Sequence, residues 1–361
     1  MIKNKVSWRL SDLNKVQKNG FKVFSCFHCG GGSSMGYKLA GYEVLGGIEI
    51  DEEMMALYRA NHNSKYSYLM GVEEFNKIPE EKIPKELFDL DILDGSPPCS
   101  VFSMAGAREK KWGKETYFKE GQEIQKLDDL FYHFIKVGEK LQPKVIVAEN
   151  VKGLLLGNAR GYVKEIFQDF KNAGYICQLF LFNASKMGVP QSRERVFFIA
   201  QRKDLNLPPL KPRFEEDPIS IGQAISGIKD HKKIRKSSKS YNNLWDKAKV
   251  GDIFKKHHPK GHCWNGTKVN PRKPSPTVTA WPLLYHWKEK RLLSQAEIAR
   301  IQTFPEDYNF LESEPSYAMG MSVPPFMTQK VAETIKDQWL SVMSKIQIVA
   351  KNGERILQTY G

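Results

Sequence analysis

Six short apolar runs, spaced along the first two hundred residues and separated by helical stretches and loops, set what this chain can fold into. They are Phe21–Cys26, Glu43–Ile50, Phe88–Leu93, Lys144–Ala148, Gly174–Asn183 and Val196–Ala200. Each is short and rich in β-branched or aromatic residues, the pattern of a buried strand. Asp51–Asn61 reads as a helix, and Leu127, Leu130, Phe131, Phe134, Ile135 and Leu141 follow helical spacing. Strands alternating with helices imply an α/β fold with a doubly wound, mostly parallel sheet. Such a sheet binds ligands beyond the carboxyl ends of its strands, so those ends are where chemistry is sought.

The first run leads into Phe27-His28-Cys29-Gly30-Gly31-Gly32-Ser33-Ser34-Met35-Gly36. Glycines between a strand and a helix let a ligand approach the backbone, with the helix N-terminus aimed at it. The second run ends in Glu49-Ile50-Asp51. Asp51 reads as a helix cap, while Glu49 is placed to accept bonds from ribose hydroxyls. The third leads into Asp94-Gly95-Ser96-Pro97-Pro98-Cys99-Ser100-Val101-Phe102-Ser103. Two prolines remove two backbone donors and fix φ, which makes a rigid turn carrying one thiol, a candidate nucleophile. A basic loop with Arg108, Lys110, Lys111 and Lys114 follows and reads as a flap near a polyanion. The fourth run ends in Glu149-Asn150-Val151. Farther on, Gln191, Arg193 and Arg195 fall at spacing two and share a face in extended chain. An arginine there can hold a base carbonyl or a phosphate, or pair with an acid for structure alone; spacing leaves both open.

Hydrophobic residues make up 41% of the chain, so a sizeable core can be buried, yet no apolar run approaches membrane-spanning length and no secretory segment opens the sequence. Five widely spread cysteines argue against a disulfide framework, and Cys26 and Cys29 lack the second close pair that a zinc site wants. The expectation is a soluble, intracellular protein without a metal. Net charge is +14, and Lys229–Lys273 holds 14 Lys and Arg against 3 Asp. Tyr241, Trp245, His257, His258 and Trp264 are interleaved there, as on a polyanion surface that also touches bases. Gln201–Phe214, rich in proline and charge, reads as a linker, and Asp217–Lys288 as a smaller basic domain. Pro274-Ser275-Pro276-Thr277-Val278-Thr279 offers hydroxyls suited to phosphate contacts or forms an edge strand. Ser294 and Glu297 form a capping box for a helix to Thr303. Gly320–Pro325 is a turn before a helix from Phe326 to about Ser344.

Taken together and in this order, these motifs resemble the cytosine-C5 DNA methyltransferase family across Phe21–Trp339. The Phe27, Gly31, Gly32, Gly36 loop is similar to the methyl-donor loop and Glu49 to the ribose-binding acid. Pro97-Pro98-Cys99 with Phe102-Ser103 resembles the nucleophile motif. Glu149-Asn150-Val151, with Gln191, Arg193 and Arg195, resembles the base-holding motifs. Arg291–Tyr308, with Gln302, Phe304 and Pro305, and then Ser322-Val323-Pro324-Pro325, resemble the last two.

The resemblance implies a Rossmann-like S-adenosylmethionine-dependent catalytic domain, 1–205 with 289–361, interrupted by a target-recognition domain at 206–288. It implies donor contacts from Phe27, Gly31, Gly32, Glu49, Ile50, Pro98, Leu130, Ser322 and Val323, and catalysis by Cys99, Glu149, Arg193 and Arg195. Ser103, Arg108, Gln191, Lys232, Lys233, Arg235, Lys236, Thr277 and Thr279 are expected on double-stranded DNA. The expected protein is a cytoplasmic monomer of a bacterial or phage-infected cell, acting beside a cognate restriction endonuclease. The sequence departs from the family at Ser25 (usually Asp), Cys29 (usually Gly), Ile50, Ser100 (usually Gln), Gln125 with Leu127, and Met321 (usually Asn). Met70-Gly71-Val72 lacks the Asp that usually meets the adenine amine, leaving Glu73 or Glu74 as substitutes.

In the implied mechanism Cys99 adds to C6 of a cytosine flipped out of the duplex. Glu149, protonated in its buried position, hydrogen-bonds N3 and the amine. Arg193 holds O2, and Arg195 supports that contact or the nucleophile. C5 becomes an enamine-like carbon that takes the methyl, and water removes H5. Competing readings are an RNA cytosine methyltransferase with the same motifs and a catalytically silent DNA-binding homologue.

Overall fold

The computed structural model describes residues 6–98, 129–156, 159–229, 234–262 and 266–344. Seven strands form one sheet: β1 (Lys22–Cys26), β2 (Glu43–Glu49), β3 (Tyr66–Leu69), β4 (Ile92–Gly95), β5 (Val145–Val151), β6 (Tyr175–Asn183) and β7 (Glu194–Arg202). Their order is β3-β2-β1-β4-β5-β7-β6. The first five pair in parallel, and β7 runs antiparallel to both β5 and β6. The expected doubly wound sheet is present. One strand was not expected, and several boundaries differ from expectation, those of β4 and β5 among them. β3 is a four-residue strand with no buried side chain, too polar in pattern to stand out. β4 begins at Ile92 because Lys85–Phe88 forms a 3-10 turn behind Pro84, whose φ of −53° suits a helical start. β5 continues through Glu149-Asn150-Val151 because β7 supplies ladder partners that far.

Neighbouring residues on each strand point to opposite faces. Phe24, Leu93, Ile146 and Phe198 join one core. Val23, Ile92, Val145, Val147, Phe197 and Ile199 join the other. The helices are α1 (Gly32–Leu39), α2 (Glu52–His62), α3 (Val72–Lys77), α4 (Asp129–Leu141), α5 (Ala159–Asn172), α6 (Ile221–Ala224), α7 (Lys239–Lys247), α8 (Gln295–Ile301), α9 (Pro315–Met321) and α10 (Pro325–Ile335). From α4, Leu130, Phe131, Phe134 and Ile135 enter the first core together with Phe75 of α3 and Phe170 of α5. From α10, Met327, Val331 and Ile335 enter the second beside Tyr37 of α1. The contact between α1 and α10 is close: a Cβ at Gly36 would lie 2.4 Å from the Pro325 carbonyl. The C-terminal part of the chain thus returns to the first strand–helix unit.

The proline-rich stretch after β7 is strapped down. Leu207 N donates to Gln201 Oε1 at 2.7 Å, Leu210 N to Gln178 Oε1 at 2.7 Å, and Trp339 Nε1 to the Pro208 carbonyl at 2.8 Å. Beyond it, β8 (Thr267–Lys268) and β9 (Leu284–Tyr285) form a small parallel pair. Leu244, Ala248, Phe254, Tyr285 and Leu292 make a separate small core there. Among the described residues, no helix is long and apolar enough to cross a membrane.

Candidate active site

Parallel pairing sets Gly95 opposite Ala148, which brings the Ser96-Pro97-Pro98 turn beside the end of β5. Asn150 Nδ2 donates to the Pro97 carbonyl at 3.2 Å, and Asn150 Oδ1 accepts from Val151 N at 2.8 Å. The side chain therefore braces the turn against the strand that carries Glu149. Cys99, Ser103 and Arg108 lie outside the described residues. Glu149 is buried, and Arg195 Nε lies 2.9 Å from its Oε1. That contact is ionic rather than an aligned hydrogen bond. The register Val151↔Arg195 puts the arginine two positions beyond Glu149 on the neighbouring strand. Burial lowers the Arg195 guanidinium from its usual range, and the Glu149 charge opposes that shift.

Arg193 is placed differently from expectation. Its Nη1 donates to the Val278 carbonyl at 2.9 Å, and Nη1 and Nη2 both reach the Gly320 carbonyl at 3.3 Å. Burial, with Arg195 nearby, lowers it to about 9. The guanidinium next to Glu149 is Arg195, while Arg193 is held by backbone carbonyls through its Nη atoms. Gln191 is likewise held inside the protein. It is fully buried, its Oε1 accepts from Val278 N at 2.8 Å, and its Nε2 donates to Gln302, so it faces protein and not a DNA surface. Thr277 Oγ1 is committed to the Ser192 carbonyl at 3.1 Å, while Thr279 is exposed.

On the other side of β1 the glycine turn meets Glu49. Its Oε2 accepts from Cys29 N at 2.9 Å, and its Oε1 from Ile50 N at 3.0 Å and Asp51 N at 3.1 Å. Three of roughly four lone-pair sites are filled, which leaves one for a ligand hydroxyl. Burial raises the Glu49 carboxyl to about 7. Asp51 caps α2 through Met54 N, as expected. Next to Glu49, Phe27, Ile48, Ile50, Met70, Gly71, Val72 and Leu130 line an apolar recess, closed at one side by Phe27 in the left-handed region (φ 54°). Glu74 Oε2 accepts from Gly71 N at 3.3 Å as the cap of α3, so of the two candidate acids beside the recess Glu73 is the one not committed to that cap. Ser322 and Val323 back the loop: a Cβ at Gly32 would meet the Val323 carbonyl at 2.2 Å. Pro98, at the other end of the site, is half-buried.

Two clusters here were not picked out from the sequence. Ser25 and Asp94 are register partners on β1 and β4. Ser25 Oγ donates to Asp94 Oδ2 at 3.3 Å and Tyr37 OH to Asp94 Oδ1 at 3.2 Å. Burial raises Asp94 to about 6. The acid is thus supplied by the strand next door to Ser25; a carboxylate at the end of an apolar run was the available signal. Behind the glycines, His28, Tyr58 and His62 stack at 3.7 and 4.3 Å between centroids. Burial depresses both histidines, His28 to about 4. His62 abuts Gly31, which sits at φ 75°.

Of the expected DNA-contacting cations, Lys232 and Lys233 lie outside the described residues. Lys236 is exposed, and Arg235 donates to the Pro282 carbonyl. Cys26 is buried in β1, whereas Cys29 Sγ lies 3.5 Å from Met54 Sδ, so the two cysteines have separate surroundings.

A doubly wound sheet with a glycine turn, a buried acid and an apolar recess at one strand end, and an acid–guanidinium pair at another, places two candidate binding devices on the rim where such sheets take their ligands. The family model of C-5 cytosine-specific DNA methylases matches residues 21–337. The chain is 30% identical over 360 residues to the type II methyltransferase M.NgoFVII of Neisseria gonorrhoeae, covering 91% of this chain and 90% of that one. It is 29% identical over 349 residues to M.FnuDI of Fusobacterium nucleatum, covering 88% and 94%. Among solved structures, a DNMT2 variant of Spodoptera frugiperda superposes with a TM-score of 0.61 at 19% identity, covering 88% of this chain and 99% of that one. This chain belongs to the C-5 cytosine-specific DNA methylase family, and it is a DNA cytosine methyltransferase of the type found in type II restriction-modification systems.

Proposed function

We propose that this enzyme transfers the methyl group of S-adenosylmethionine to C5 of a cytosine flipped out of a specific double-stranded DNA sequence, through a transient bond between Cys99 and C6. The observation that carries the reading is the Glu149–Arg195 pair set beside the Asn150-braced Pro97 turn.

The residues present fit the donor. Phe27, Ile50, Met70 and Leu130 offer apolar faces suited to a flat ring, although the recess between them is narrow, about 10 Å³ as it stands, and Glu49, in the strand end that also carries Ile48, has an acceptor site left. Glu73 stands beside it for an exocyclic amine. The bound donor supplies an electrophilic methyl on a sulfonium. Everything else is work for the chain. Cys99 adds to C6 and makes C5 nucleophilic. Glu149 hydrogen-bonds N3 and the exocyclic amine. Arg195, through its contact with Glu149, orients that acid and is the guanidinium placed to reach O2. Arg193 and Gln191 take a positioning role, fastening the Val278 peptide to the rim. Once C5 carries the methyl group, water removes H5 and Cys99 leaves as the thiolate. No step calls for a metal.

Residues 206–288 serve as the target-recognition part and 1–205 with 289–361 as the catalytic part. The proposed partner is double-stranded DNA, and the physiological setting includes a cognate restriction endonuclease. Bisulfite sequencing of DNA from cells expressing the protein identifies the methylated site. A duplex carrying 5-fluorocytosine at that site should trap the wild-type enzyme covalently and should fail to trap Cys99→Ser. Methylation at the wild-type rate by Cys99→Ser would overturn the mechanism.

A further inference from the structure

Trp281 is 47% exposed, an unusual place for the largest apolar side chain. The backbone just ahead of it is held at four points. Thr277 Oγ1 donates to the Ser192 carbonyl, Val278 N to Gln191, and Arg193 to the Val278 carbonyl. The Thr279 carbonyl then packs so tightly on Gly320 that a Cβ at 320 would lie 2.1 Å from it. Behind it, the chain enters β9 at Leu284. The indole therefore belongs to a short, pinned segment fastened to Gln191, Ser192 and Arg193, the residues that lead into β7, the strand that presents Arg195 to Glu149. A cationic neighbour is Arg235, whose guanidinium lies 5.6 Å from the ring centroid and donates to the carbonyl of the next residue, Pro282. An exposed ring held beside a cation from the basic 229–273 segment is suited to a base face flanked by phosphate.

Flipping one nucleotide leaves a gap in the duplex, and the bases bordering it lose a stacking partner. We propose that Trp281 stacks on a base bordering that gap and so holds the extruded state open, with Arg235 contacting the adjacent phosphate. Trp281 is a positioning residue in this scheme and touches none of the reacting atoms. The inference rests on the DNA base-flipping reading given above and adds to it the side chain that replaces the lost stack.

The test uses the full-length enzyme and two duplexes containing its methylation site. In one the target cytosine is paired with guanine; in the other it faces an abasic position, so that extrusion breaks no pair. Trp281→Ala should lower kcat/KM about 10-fold or more on the paired duplex. The loss on the abasic duplex should be under about 3-fold, because an unpaired base is extruded more readily. Trp281→Phe should stay close to wild type on both, and methyl-donor affinity should be unchanged in every variant. Should the alanine variant fail to fold, Trp281→Leu, which keeps apolar bulk without a ring face, is read in the same way. Equal losses on the two duplexes, or no loss on either, would overturn the role. If the wild-type protein methylates neither duplex, the underlying reading fails instead, so the two failures are distinguishable.

Discussion

Asn150 reaches from the end of β5 to the Pro97 carbonyl, 3.2 Å away, and joins the strand bearing Glu149 to the turn that precedes Cys99. Two prolines remove two of that turn's backbone donors, so the cross-strand bond supplies a donor that Pro97 and Pro98 cannot. Asn150→Ala strips a buried carbonyl of its partner. It should cost about 1–3 kcal/mol of stability and lower methyl transfer at least about 10-fold, read as a lower midpoint in thermal unfolding and a lower kcat with donor affinity retained.

The Glu149–Arg195 pair sits almost out of solvent, so removing one member strands the other. Arg195→Met should destabilise the fold by on the order of 3 kcal/mol and abolish turnover. Arg193→Met should be distinguishable: its partners are the Val278 and Gly320 carbonyls, so it should loosen binding of the duplex more than the chemical step. Single-turnover rates at saturating DNA separate the two, and a larger single-turnover defect in Arg193→Met would reverse the assignment.

Glu49 sets a pH dependence. Burial raises its carboxyl from 4.5 to about 7. The proton thus binds the folded state more tightly, so the stability that Glu49 contributes is whole below pH 4.5 and is lost as pH climbs through about 7. The ionised group is the better acceptor for a ligand hydroxyl. Donor affinity should therefore strengthen across the window in which stability falls. Calorimetric titration of the donor from acid to alkaline pH should show that rise, and Glu49→Gln should bind weakly with no such slope.

Gly31 combines a left-handed φ of 75° with a neighbour that leaves no room, since a Cβ would stand 2.1 Å from His62 Nε2. Gly31→Ala should lose most donor binding and about 1–3 kcal/mol of stability. Adding His62→Ala should recover part of both by opening the space, leaving the backbone term. A double mutant no better than the single one would place the whole effect in the backbone.

Much of this was readable in the chain. Buried parallel strands are apolar along their length, which is why β1, β2 and β5 stand out as runs, and the polar residues that end them mark the rim. What escaped reading depends on contacts between distant segments. Arg193 and Arg195 share a face by spacing, but only the packing of Val278 and Gly320 against one of them decides which meets Glu149. Gln191 looks like a surface amide until Gln302 closes over it. β3 lacks buried side chains and carries no periodic signal. The His28–Tyr58–His62 stack joins a loop to a helix thirty residues on, beyond the reach of any local pattern.

Ser25 and Asp94 face each other across β1 and β4, and one carboxylate serves both positions. An aspartate placed at 25, with Asp94 left in place, would crowd two acids into a pocket that solvates neither. The pocket has room for one carboxylate, so a strand graft that brings a second acid to either position obliges a change at the other.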